Sequence, residues 1–113
     1  MFVTVEQNNS GGYYLEDDKF GIGCYIIIEA DTIKEALMRL ERISDNYDES
    51  QNEHSFYEYC DCCGERWDTW FRDDTDLYDE PSIDGKLVKE CSWFADGYIH
   101  YKSGKIEYFA SRN

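Results

Sequence analysis

The passage that decides the fold is Gly21-Ile22-Gly23-Cys24-Tyr25-Ile26-Ile27-Ile28-Glu29-Ala30-Asp31-Thr32-Ile33-Lys34-Glu35-Ala36-Leu37-Met38-Arg39-Leu40-Glu41-Arg42-Ile43. Its first part reads as a strand over residues 21–29. Cys24, Tyr25, Ile26, Ile27 and Ile28 are apolar on both faces of an extended chain, which suits a central strand covered from two sides. The period then changes. Ile33, Ala36, Leu37, Leu40 and Ile43 recur at spacings of three and four, the stripe of an amphipathic helix. Asp31 or Thr32 caps its start, and Glu35, three after Thr32, fits a capping box. Glu35 and Arg39 stand four apart and pair favourably. Met38 lies off the stripe, as a surface methionine or as a contact for another segment.

Upstream, Phe2 to Glu6 alternates as a short strand. The run Asn8-Asn9-Ser10-Gly11-Gly12 is a turn, and Tyr13 to Leu15 returns as a second strand. Downstream, residues 44–54 are polar and acidic and read as a loop. Residues 97–102 and 105–109 flank Ser103-Gly104, the pattern of a β-hairpin with a two-residue turn. Pro81 marks a turn. The expected architecture is a single α+β domain over residues 1–113: a small antiparallel sheet, one main helix packed across it and a C-terminal β-hairpin. At 113 residues, with 42% apolar and 17% aromatic side chains, the chain has enough for one modest core and too much for a disordered acidic tail.

Twenty-five acidic side chains against 11 basic ones give a net charge of −14. That charge repels phosphate, so it argues against direct binding to nucleic acid or to an anionic membrane. It favours cations, basic partners and proteins that themselves hold nucleic acid. The apolar run at residues 24–28 is far shorter than the ~20 residues of a membrane helix, and the first residues lack the pattern of a signal peptide. A soluble protein of a reducing cytoplasm is expected.

Acidic residues concentrate at Glu16-Asp17-Asp18, in residues 45–53 and in residues 65–80. On an extended strand alternate residues lie ~6.6 Å apart on one face, close to the spacing of successive phosphates, so Asp74 and Asp76 could imitate a phosphate pair. Aromatic side chains interleaved with these acids supply anchors. The candidate partner surface is therefore Asp68, Trp70, Asp73, Asp74, Asp76, Tyr78, Asp79 and Glu80. A solvated acidic face that keeps the chain soluble is the plainer reading of the same run. Calcium is a weaker one, because Asp73-Asp74-Thr75-Asp76 lacks the spacing of an EF-hand loop.

Cys60-Asp61-Cys62-Cys63-Gly64 contains a C-x-x-C followed by glycine, the shape of a metal knuckle. A structural zinc site needs four ligands. The candidate set is Cys60, Cys63, His54 and Cys91, with Cys24 and His100 as other completions and Cys62 able to replace either knuckle cysteine. Free thiols in a tight turn and a redox pair are the alternatives. No phosphate-binding loop is present, and neither histidine stands in a local catalytic signature, so no enzyme activity and no cofactor beyond zinc is expected.

Three segments occur in order: Val5-Glu6-Gln7-Asn8-Asn9-Ser10-Gly11-Gly12-Tyr13-Tyr14, then Ile26-Ile27-Ile28-Glu29-Ala30, then Cys60-Asp61-Cys62-Cys63-Gly64-Glu65-Arg66-Trp67. Together they resemble a family of small uncharacterised proteins of tailed bacteriophages, over roughly residues 1–70. The resemblance implies a phage origin and the bacterial host cytoplasm; it implies no activity and no catalytic residues. The expectation from charge, aromatic content and resemblance is a phage accessory protein. It would bind and inhibit a bacterial host protein, from defence or nucleic-acid handling, by competition at its basic surface. The alternative is a small zinc-stabilised structural or assembly module.

Overall fold

β1 (Phe2–Gln7) and β2 (Tyr25–Glu29) run antiparallel, with Phe2 opposite Glu29 and Glu6 opposite Tyr25. The structure, a computed structural model, describes residues 1–8, 10–50, 54–61, 64–91 and 95–111. After β2 comes α1 (Ile33–Ser50), then a two-stranded hairpin, β3 (Tyr59–Cys60) and β4 (Gly64–Glu65), and the short β5 (Trp67–Asp68). A second small hairpin joins β6 (Ser82–Ile83) to β7 (Lys86–Leu87). The chain ends in β8 (Ala95–His100) and β9 (Ile106–Ser111). The main sheet has the order β5-β1-β2-β8-β9. It is mixed, because β2 and β8 are parallel while its other neighbours are antiparallel. The expected small antiparallel sheet thus contains one parallel pair: β2 and β8 are distant in sequence, and the connection between them returns the chain in the same direction.

The apolar run does what its composition requires. β2 sits in the middle of the sheet, and Ile26, Ile27 and Ile28 are all fully buried. Each contributes roughly 1.5–3 kcal/mol by leaving water. Alternation along the strands splits them between two layers. Val3, Val5, Ile26 and Ile28 face α1 and pack with Ala36 and Leu40. On the other face Tyr25 and Phe109 pack with Ile83, Val88, Cys91 and Ala95.

α1 begins as expected, with a variation. The Thr32 hydroxyl accepts the Glu35 N–H at 3.1 Å, but the Glu35 carboxylate reaches the N–H of Asp31 instead of Thr32. Arg39 does not pair with Glu35; its guanidinium donates to the carbonyls of Glu29 and Tyr101 and so ties the helix to the strand ends. Met38 is exposed. The helix also runs further than its polar tail suggested. Residues 44–50 are helical because Ser44 and Tyr47 extend the stripe, and Tyr47 is buried between the rings of Phe20 and Phe56.

Two further expectations are corrected. Tyr13 to Leu15 forms no strand; that stretch is held by Gln7, whose side chain bonds both the N–H and the carbonyl of Leu15. The β8–β9 turn has three residues, 102–104, with Tyr101 N–H donating to Lys105 O at 2.9 Å and Gly104 at φ +97°. A three-residue loop needs that positive φ, and glycine supplies it.

Candidate acidic and aromatic interface

The stretch of residues 65–80 lies along the outer side of β1. It enters as β5, with Asp68 opposite Glu6, and closes at Tyr78, which exchanges both backbone hydrogen bonds with Phe2. Between these two contacts it is not extended. Asp74–Asp76 forms a 3-10 turn with Asp73 as its N-cap. The phosphate-pair spacing expected for Asp74 and Asp76 is therefore absent, and their carboxylates are turned inward on backbone donors. Asp74 Oδ1 accepts the N–H of Ile33 at 2.8 Å, and Asp76 Oδ2 accepts the N–H of Arg72 at 2.7 Å. Asp73 bonds the hydroxyl and N–H of Thr75, which hold its carboxyl below the usual range. Asp73, Asp74 and Asp76 thus fold the segment, and Asp68 Oδ1 also accepts the Trp70 N–H at 3.1 Å.

The others divide. Asp68, Trp70 and Tyr78 share with Asp76 a concavity of about 230 Å³, together with Glu6, Tyr25 and Asp84. Trp70 is 90% exposed. Asp68, Glu6 and Tyr25 occupy one cross-strand row, so their side chains stand on the same face, the face away from α1. Asp84 comes from the tip of the β6–β7 hairpin, at φ +51° beside Gly85 at φ +83°. Partial burial, then Asp84, then Asp68 push the Glu6 carboxyl upward. Three carboxylates therefore feel one another here, beside an open tryptophan. Asp79 and Glu80 are exposed but do not line this concavity. Glu6 and Asp84 were absent from the sequence expectation, because only strand pairing and a hairpin bring them to Asp68.

Cys62 and Cys63 lie outside the described residues. Cys60 is on β3, and Gly64 has the positive φ of +82° that the turn requires. His54 is exposed, with Nδ1 3.0 Å from the Tyr13 hydroxyl. Cys91 is buried. It packs with Ile83 and Ala95, and β3 packs beside residues 10–12. His100 is engaged with Gly21 O at 2.8 Å. Among the described residues, the group that gathers three ligand atoms within 4.8 Å is Glu16, Cys24 and Asp96. Burial, then Asp96 and Glu16, push the Cys24 thiol up to about 11.

Sequence reasoning also missed Arg66. Its side chain is fully buried, with the guanidinium 4.6 Å over the Tyr13 ring and bonded to Glu58, Gln7 Oε1 and the Tyr13 carbonyl. Its Nε has no partner among the described residues. The Tyr13 hydroxyl, then Arg66, hold the Glu58 carboxyl low. A lone arginine next to tryptophan in a polar sequence carries no signal of burial.

The family described as a domain of unknown function, DUF7296, matches residues 1–113. The chain belongs to the DUF7296 family. No curated protein and no solved structure matches this DUF7296 chain. No described helix of the DUF7296 protein is long and apolar enough to cross a membrane.

Proposed function

We propose that this DUF7296 protein is a non-enzymatic binding module that docks a basic protein on the concavity of Glu6, Asp68, Asp84, Trp70 and Tyr78. The observation that carries the reading is Trp70, 90% exposed beside three mutually repelling carboxylates. A tryptophan left in water gains most when a partner covers it, and tryptophan is enriched among the residues that dominate binding energy. The carboxylates select a basic surface, and the net charge of −14 speeds its approach. With the resemblance of roughly the first 70 residues to small tailed-phage proteins, the partner is a nucleic-acid-handling or defence protein of a bacterial host, met in its cytoplasm. The effect is inhibition by occupying the surface that would hold nucleic acid. A pull-down from bacterial lysate at low and high salt tests this. A basic protein retained at low salt and released at high salt is expected; recovery of nothing at low salt contradicts it.

A further inference from the structure

β9 is a six-residue strand at the edge of the sheet, and among the described residues nothing pairs with its outer side. The opposite edge is treated differently: it ends in the two-residue β5 and the bridge from Phe2 to Tyr78. A long open edge is a template for another strand unless charge, proline or a bulge blunts it, and β9 contains no proline and a single charge, Glu107. The phase of its hydrogen bonds follows from the turn. Tyr101 donates to Lys105, so the inward-bonded positions continue at Glu107 and Phe109. Ile106, Tyr108 and Ala110 therefore direct their N–H and C=O groups outward.

The two faces beside this edge differ in chemistry. On the face away from α1, a cavity of about 720 Å³ has Leu87, Val88, Ile99 and Phe109 as apolar walls, with Lys89, Glu90 and Glu107 also in its lining. On the α1 face, Tyr108 and Tyr98 line a cleft with Glu16, Asp17, Asp18 and Asp96. Alternate residues of an added strand would point into each. Near Ile106 the α1 face is instead basic, with Lys19, Arg39, Arg42 and Lys105.

We infer that β9 accepts an extended segment of another protein as a sixth strand. That segment alternates apolar residues, which enter the cavity, with lysine or arginine, which meets the acidic cleft, and its basic residues lie toward the Ala110 end. A second copy of this chain is a poor occupant, because two chains of −14 repel. The inference is independent of the β1 concavity, whose residues lie at the other edge.

The test uses the blocked peptide Lys-Val-Lys-Val-Thr-Val-Thr and a control of the same composition with its valines adjacent. With saturating alternating peptide, exchange of the Ile106, Tyr108 and Ala110 amides should slow by about tenfold or more, while Glu107 and Phe109 change little. Ala110→Pro should abolish this protection with the fold intact, since proline is tolerated where an edge N–H faces solvent; if it unfolds, Tyr108→Pro replaces it. No binding, equal binding of the control peptide, equal binding by the proline variant, or protection at those amides from self-association alone would each overturn the inference.

Discussion

Asp74 closes the N-terminus of α1, its carboxylate accepting the N–H of Ile33 across 41 positions of sequence. A residue of the acidic stretch therefore serves the helix, and its loss is read in stability. Asp74→Ala should cost about 1 kcal/mol, the usual cost of removing a cap. Asp79→Ala, exposed and outside the caps, should cost less than half of that. Urea midpoints compare the two directly.

Gly97 faces Tyr25 so closely that a Cβ on Gly97 would stand 2.1 Å from the Tyr25 carbonyl oxygen. The obstacle is backbone in the parallel β2–β8 pair, so no rotamer relieves it. Gly97→Ala should destabilise by about 3 kcal/mol or more, whereas Gly104→Ala meets nothing but its own positive φ. Thermal unfolding of both variants checks the order.

Arg66 and Glu58 are unequal partners, the first fully buried and the second 37% exposed. Glu58→Ala leaves a buried cation without its anion; Arg66→Met removes the charge and keeps much of the volume. The account predicts that Glu58→Ala is the more destabilising of the two. Chemical denaturation giving the reverse order would show that packing, not charge, holds this site.

Burial keeps the His100 imidazole below its ordinary value of 6.5, outweighing its bond to Gly21 O. The unfolded chain then takes up the proton first as pH falls. The stability resting on neutral His100 is complete above the ordinary value of 6.5 and is lost as pH falls below it. Glu6, raised, works in the opposite sense, so the informative quantity is the difference between wild type and His100→Asn. The variant should show a smaller loss over that window by denaturation at a series of pH values; parallel curves would count against this role.

The central strand, the start of α1 and the C-terminal hairpin were legible because period and caps are local signals. The end of α1 was not, since the acidic tail hid Tyr47, whose spacing from Leu40 and Ile43 continues the stripe. The Asp84–Gly85 turn is a favoured dipeptide for a tight hairpin, but its strands have two residues each and too little pattern to be read. For the site, composition located the acidic and aromatic stretch. It could not separate Asp73 and Asp74, turned onto the 3-10 segment and the start of α1, from Asp68 and Trp70, which line the concavity. Nor could it bring in Glu6 and Asp84, which reach the concavity through pairing and a hairpin.

The most direct measurement is retention of a basic host protein, from lysate at low salt, by two variants of equal charge change. One is Asp68→Asn/Asp84→Asn/Trp70→Ala, at the concavity. The other is Glu41→Gln/Asp45→Asn/Met38→Ala, on the exposed side of α1. The account predicts that the first loses the partner and the second keeps it. Equal retention by both, or equal loss from both, would contradict a docking site at Asp68 and Trp70.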